Sequence, residues 1–530
     1  MHMHRLAIPV WFGLLMLTAP LSGCLGSDEP DPVDPRDLIP IPDWPPCPEG
    51  SECANAHTCA ATGGLPVPNF TESWNSSGDN RIWASPRLAE LTGDGILDVV
   101  FGTGVEEGQT GSIVALDGSN GSLLWEVGAD QEIFASARFH DIDSDGTLDV
   151  VAGGRMAQLF AISGASGDVI WRFDVNSPER ANWYQFYSGQ FVDDLNGDNT
   201  PDWLTANGGD PTKQAGAARS PGYLMLLSGA TGEVLSVANV PDGRETYMSI
   251  NHYKPHPDLP AVVLFGTGGE TFPGSLWETN LDDLLAGDIS DAIELVPPED
   301  GVDKGIVAPP AIVDLTLDGI LDVVVSSFDG RTVAIDGRNH SILWTLDAKD
   351  HAEGGGINEA ETYATPAIGY FNDDAVPDVA VHFSVGAFPI YRSSWTGVID
   401  GASGELIWST DGEHTAFSSP LAVDLTGDGR DEVVMTRGAG LFTPDEYYEI
   451  SVLDTCAGTL FEMTNSTGAS LGTPTIADAD GDGDLEMFIV SHTSFPPRWT
   501  VQRLNLDAAT PESISWGAYL GTAYDGLMQT

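Results

Sequence analysis

The chain has 530 residues, 42% of them hydrophobic and 9% aromatic, which is ample for a large core. Its formal net charge is −58, from 79 Asp and Glu against 21 Lys and Arg, and its four lysines are Lys213, Lys254, Lys304 and Lys349. That balance argues against nucleic acid as a partner, because phosphate binding needs clustered Lys and Arg. An acid-rich, lysine-poor surface suits a saline habitat, where screening tames self-repulsion; a GC-rich genome that favours Arg over Lys is the other explanation.

The first segment, residues 1–23, reads as an export signal: Arg5 gives the positive start and Leu6 to Leu17 the apolar run. It ends in Leu21-Ser22-Gly23-Cys24, which resembles a bacterial-type lipobox. The resemblance implies lipidation of Cys24, with two acyl chains for stable anchoring; an ordinary signal peptide with a chance Cys is the alternative. No other stretch approaches the ~20 apolar residues that span a bilayer. The expectation is an exported lipoprotein held by its anchor at the cell envelope or surface, with the membrane itself left open. Residues 24–66 read as a Pro- and Asp-rich tether, from Asp28-Glu-Pro-Asp-Pro and Ile41-Pro-Asp-Trp-Pro-Pro. Besides Cys24, the cysteines are Cys47, Cys53, Cys59 and Cys456. Outside the cell they can form two disulfides, with three possible pairings, one of which would tie tether to body; a metal site from the clustered three is the alternative.

From residue 67 to 530 one acidic phrase returns. Asp141, Asp143, Asp145 and Asp149 form one copy, and Asp478, Asp480, Asp482 and Glu486 another. Oxygens at relative positions 1, 3, 5 and 9, with a Gly after position 5 for the sharp turn, are calcium-loop chemistry. Further copies are Glu90, Thr92, Asp94 and Asp98; Asp194, Asn196, Asp198 and Asp202; Asp314, Thr316, Asp318 and Asp322; and Asp424, Thr426, Asp428 and Glu432. A weaker one has Asn372, Asp374 and Asp378, with Tyr370 in the first position. Asp94, Asp145, Asp198, Asp318, Asp374, Asp428 and Asp482 stand 51, 53, 120, 56, 54 and 54 residues apart. The long step hides a degenerate unit: Phe265-Gly-Thr-Gly268 echoes Phe101-Gly-Thr-Gly104, while His252-Tyr-Lys-Pro-His256-Pro-Asp258 replaces the acidic loop. Eight units result, or seven if that one is not a full repeat.

Each unit carries a second phrase. Ala115-Leu-Asp117-Gly-Ser-Asn-Gly121 leads to Trp125, Ala161-Ile-Ser-Gly to Trp171, Ala334-Ile-Asp336 to Trp344, and Val398-Ile-Asp400-Gly to Trp408. A Gly-containing turn between apolar runs is a hairpin signal. About four short strands per unit of roughly 50 residues, repeated radially, predict an all-β fold: a β-propeller of eight four-stranded blades. The acidic loop followed by Val99-Val-Phe-Gly102 resembles the FG-GAP/VCBS repeat of integrin-α-type propellers, and that resemblance implies calcium held between two strands of a blade. The Trp phrase is similar to the tryptophan-docking motif of quinoprotein propellers, which implies that Trp125, Trp171, Trp344 and Trp408 pack between blades.

No His-Glu-x-x-His helix or adjacent cysteine pair occurs in the sequence. The acids read as structural Ca2+ ligands rather than acid/base catalysts. Six occupied sites would leave a net charge of about −46, at two charges per ion. Trp183-Tyr-Gln-Phe-Tyr187 reads as packing core, with a sugar platform as the sharper alternative. His252 and His256 read as an irregular loop rather than a transition-metal pair. The departures from the repeat, at 207–221, 270–305, 351–362 and 437–447, are the candidate binding surface. The expected function is a non-catalytic, calcium-binding, lipid-anchored surface propeller for a protein or glycan partner. The alternatives are an enzyme of the polysaccharide-lyase type, which certain eight-bladed calcium-rich propellers resemble, and an outer-membrane assembly scaffold.

Overall fold

The computed structural model describes residues 34–40 and 68–529, except 106–107, 109, 174–182, 211, 215, 353–358, 389, 413–414, 416, 441–442 and 456. Cys24, Cys47, Cys53, Cys59 and Cys456 therefore lie outside the described residues.

Eight antiparallel sheets follow one another along the chain. In the first blade the strands are Arg87–Ala89, Asp98–Gly104, Gly111–Leu116 and Leu123–Ala129, hydrogen-bonded in chain order. The first strands of neighbouring blades touch, so these short strands line the central channel and the fourth strands face outward. In the first blade the second and third strands, Asp98–Gly104 and Gly111–Leu116, are buried along their whole length. Neighbouring blades cover both their faces, which selects apolar runs such as Val99-Val-Phe101 over alternation. The outer strand Leu123–Ala129 is half exposed and buries Trp125.

The degenerate unit is a complete blade, Asn251–Tyr253, Val262–Gly266, Leu276–Thr279 and Ile293–Val296, so the blade count is eight. Besides lacking the acidic loop, it carries a six-residue α-helix, Leu281–Ala286. Asn280 caps the start by accepting the Asp283 N–H, and Gly287, at φ 76°, stops it.

The ring closes in the eighth blade. Phe70–Asp79 supplies its outermost strand, pairing antiparallel with Pro497–Ala509 from Phe70 opposite Leu506 to Asp79 opposite Arg498. The closure leaves no open sheet edge between the first and last blades.

Three further devices join the blades. Around the channel a hydroxyl accepts the backbone N–H of the matching residue one blade away: Ser85 N–H to Ser136 Oγ at 3.1 Å, and Ser136 N–H to Ser188 Oγ at 2.9 Å. The girdle continues from Thr365 to Ser419 and from Ser419 to Thr473. It crosses the closure where Thr473 N–H meets Ser85 Oγ at 3.0 Å. At the periphery the docking tryptophans donate their indole N–H to a turn glycine of the next blade: Trp125 to Gly164 O, Trp171 to Gly229 O and Trp344 to Gly401 O. Trp74 of the closing strand does the same to Gly118 O at 2.8 Å, and the sequence reading missed it. Trp408 is half-buried against the core.

Residues 515–529 are the third device. They enter the channel and hydrogen-bond to the inner strands: Trp516 with Ala422 in both directions, Gly517 O from Ile476 N–H, and Gly526 O from Ile312 N–H. Trp516 and Leu520 are fully buried.

The segment 34–40, inside the expected tether, is packed on the ring. Arg36 meets the buried Glu278 at 2.7 Å, Arg338 Nη1 donates to Arg36 O and Ile39 O, and Ile39 packs with Leu259 and Ile320. The Pro-rich composition suggested a free linker because the partner of Arg36 is supplied some 240 residues away.

Candidate functional site: acidic loops and an aromatic collar

Within an antiparallel blade, the first-to-second and third-to-fourth connections share one face of the ring. The second-to-third connections and the crossovers between blades share the other. All seven acidic loops are first-to-second connections, so they stand together on one face.

The loop positions divide the work. The acid at position 1 is wrapped by the loop's own N–H groups: Glu90 accepts from Thr92, Gly93 and Gly95, Asp141 from Asp145 and Gly146, and Asp194 from Gly197, Asp198 and Asn199. Asp314, Asp424 and Asp478 repeat this. The acid at position 5 accepts the N–H two residues on in every copy: Asp94 from Ile96, Asp145 from Thr147, Asp198 from Thr200, Asp318 from Ile320, Asp374 from Val376, Asp428 from Arg430 and Asp482 from Asp484. These are turn-closing bonds of the kind that short acidic side chains make.

The acid at position 9 is buried and ties the loop to its blade. Asp98 accepts from Leu91, Thr92 and Gly118 N–H, and Asp149 from Ile142, Asp143 and Gly164 N–H. Asp202, Asp322 and Asp378 also reach their turn glycines Gly229, Gly337 and Gly401. Burial raises all these carboxyls above their ordinary range, Asp322 and Asp378 to about 7 and Glu432 to about 9. Each is a buried acid that gains from a counter-charge, whether proton or cation.

Position 3 decides where three acids converge. Asp141, Asp143 and Asp149 bring carboxylate oxygens within 4.8 Å of one another, and so do Asp478, Asp480 and Glu486. These are the two copies with Asp at position 3; Thr92, Asn196, Thr316, Asn372 and Thr426 occupy it elsewhere. Asn196 and Asn372 turn their side-chain amides onto Asp202 and Asp378, at 3.3 and 2.9 Å. An all-carboxylate, hard-oxygen donor set fits calcium in both triads. In the eighth blade, however, Arg503 already bridges Asp480 and Glu486, the latter at 3.3 Å, and donates to Gly118 O. Arg338 pairs with Asp318 in the same manner. The 141–149 triad has no such arginine among the described residues.

The opposite face carries a feature that the sequence reading did not single out. Just before the first strand, six blades place a half-buried aromatic in equivalent register: Trp83, Phe134, Tyr187, Tyr247, Tyr363 and Phe417. Ring centroids lie 5.2 Å apart for Phe134 and Tyr187, 6.1 Å for Tyr187 and Tyr247, and 5.6 Å for Tyr363 and Phe417. Buried acids alternate with this collar and are paired: Glu132 with Arg155, Glu245 with Arg219 at 3.0 Å, and Glu361 with Lys304. Burial pushes Glu245 up to about 7 despite Arg219. Tyr363 Oη donates to Glu270 and Tyr391 Oη to Glu361, both at 2.7 Å. A hollow of about 320 Å³ opens beside Lys304, Phe328 and Glu361. The signal was present as an aromatic two residues before Ser, Thr or Gly, ahead of each first strand.

The described residues of three expected insertions, 207–221, 351–362 and 437–447, lie on the collar face; 270–305 is divided, since its helix lies with the acidic loops. The stretch 183–187, expected as packing core, is divided: Trp183 packs against Phe173 and Tyr223, while Tyr187 joins the collar. His252 sits half-buried in the strand Asn251–Tyr253, and His256 lies in the loop that follows.

The family model described as outer membrane protein assembly factor BamB matches residues 75–248, from the closing strand through the third blade. No curated protein matches the chain. Among solved structures, a europium-containing methanol dehydrogenase superposes with a TM-score of 0.57 at 12% identity, covering 83% of this chain and 94% of that one. The quinohemoprotein alcohol dehydrogenase ADHIIG from Pseudomonas putida HK5 gives 0.53 at 13% identity, covering 84% and 78%. That of Comamonas testosteroni gives 0.51 at 14%, covering 91% and 84%. At these identities the likeness is one of fold.

Proposed function

We propose that this chain is a non-catalytic scaffold of the cell envelope that binds a protein partner through its collar face, in the manner of an outer-membrane assembly factor. The observation that carries the reading is the gathering of half-buried aromatics, paired charges and three insertions on one face, over a channel that residues 515–529 fill. Such a surface is aromatic at its centre and polar around it, the composition of protein-binding patches. The family match over residues 75–248 supports a protein partner rather than a glycan.

Two elements complete the reading. Calcium held by Asp141, Asp143 and Asp149 stiffens the acidic-loop face. A lipid on Cys24 anchors the chain. Ten residues separate Cys24 from Asp34, a reach of at most about 35 Å, and residues 34–40 dock on the acidic-loop face. The anchor therefore holds that face toward the membrane and turns the collar outward.

The test is affinity capture from detergent-solubilised envelopes, comparing the intact chain with a Tyr247→Ala/Phe417→Ala variant. A stoichiometric membrane-protein partner that the variant loses, with its melting temperature held, is the expected result. Absence of any stoichiometric partner, or equal capture by the variant, overturns the proposal.

A further inference from the structure

The inner strands of the first two blades carry an arginine in the same register, in Ser85-Pro86-Arg87 and Ser136-Ala137-Arg138. Arg87 is fully buried and Arg138 is 7% exposed. Both meet the plug of residues 515–529. Arg87 Nη1 donates to Tyr519 O at 2.6 Å, and its guanidinium lies 4.0 Å from the Tyr524 ring centroid and 5.5 Å from that of Tyr519. Arg138 Nε donates to Gly189 O at 3.0 Å. The remaining donors are unmet: Arg87 Nε and Nη2 and Arg138 Nη2 are buried without a hydrogen-bond partner.

The charges do not balance either. Among the described residues, Asp525 is the carboxylate that acts on Arg138, and Tyr519 and Tyr524 supply neutral rings. Burial lowers the two arginines to about 10 and about 9, so both keep their charge at neutral pH. A chain with a net charge of −58 thus buries two guanidinium groups against a single acid, Asp525. Water could accept the free N–H groups, but it would leave the excess positive charge in a low-dielectric interior, where an unpaired charge is costly.

We propose that a small monovalent inorganic anion, chloride in the natural setting, sits inside the channel between Arg87 and Arg138 beneath Tyr519 and Tyr524. One negative charge balances the excess, and a spherical acceptor can take N–H donors from two directions. The plug hydrogen-bonds to inner strands around the ring, including Gln190 and Asn251 through Asp525 O. The anion therefore bonds the first and second blades to each other beneath the segment that seals them.

Crystals of the intact chain grown in sodium bromide test this directly. The expected result is an anomalous bromide peak within hydrogen-bonding distance of Arg87 Nη2 and Arg138 Nη2. In solution, replacing chloride by gluconate at constant ionic strength should lower the melting temperature of the unmodified chain, and this difference should vanish in Arg138→Met. Density there that is water alone, with no bromide peak, overturns the site whatever the melts show. A bromide peak accompanied by chloride dependence that persists in Arg138→Met overturns the role of Arg138.

Discussion

At Gly118, Gly164, Gly229 and Gly401 one glycine serves two blades. The N–H goes to the buried acid of its own loop, as Gly164 to Asp149 at 3.1 Å, and the carbonyl takes the indole of the preceding blade, as from Trp125 at 2.7 Å. A side chain cannot be added: a Cβ on Gly164 would stand 1.9 Å from Leu148 O, and one on Gly118 equally close to Leu97 O. Gly164→Ala should therefore cost about 1–3 kcal/mol, the range for overpacking, read as a lower denaturation midpoint. The sequence showed these glycines as turn formers, but their bridging role depends on a neighbouring blade and has no local signature.

The acids and the buried histidines predict opposite pH slopes. Burial raises Asp322 and Asp378 to about 7 and Glu432 to about 9, so without cations their contribution is full below the ordinary carboxyl range and is lost as pH rises through those values. His382 and His492 are lowered by burial to about 3 and about 4, so their contribution is full above 6.5 and is lost as pH falls. The melting temperature should fall from pH 6.5 to 9 with or without calcium, because the 141–149 triad that fits calcium contains none of these three acids. A flat profile over that range would deny these buried carboxyls their raised pKa.

Among elements, the closing strand Phe70–Asp79 carries more than its length suggests. It completes the eighth sheet and brings Trp74, 8% exposed, onto Gly118 of the first blade. Trp74→Ala should cost about 3–5 kcal/mol, the range for a buried aromatic truncated in a core. Trp408→Ala, at a half-exposed site, should cost clearly less. Guanidinium titration of both variants checks this, and equal losses would mean that the closure is no tighter than any other blade contact. The repeat made the inner blades legible, since Asp-x-Asp-x-Asp-Gly and Gly-x-x-x-Trp recur in phase. It could not reveal the closing strand, whose partner Pro497–Ala509 is nearly the whole ring away. It could not reveal Arg503 or Arg338 either, because each arginine lies some 20 residues after the acid that it neutralises. Loops that look alike in sequence therefore differ in whether a protein cation already occupies them.

For the molecule as a whole, spacing pointed to eight blades and left seven open, and the degenerate unit proves a full blade because Phe265-Gly-Thr-Gly268 keeps the second strand after the acids are gone. The channel was illegible. Residues 515–529 have no repeat, and their fit is to side chains from the first, third and fourth blades and the backbones of the fifth, seventh and eighth. The division into an acidic-loop face and a collar face follows from strand alternation alone; the partner capture addresses the collar face and the bromide experiment the channel between the two.

The pairing of Phe70–Asp79 with Pro497–Ala509 also sets an order of events during synthesis. The earlier strand leaves the ribosome more than 400 residues before its mate, and for that interval its edge is open and its tryptophan undocked. Contacts so distant along the chain form slowly and expose aggregation-prone surface meanwhile. A polypeptide of this design can close its ring only once the final sheet has emerged.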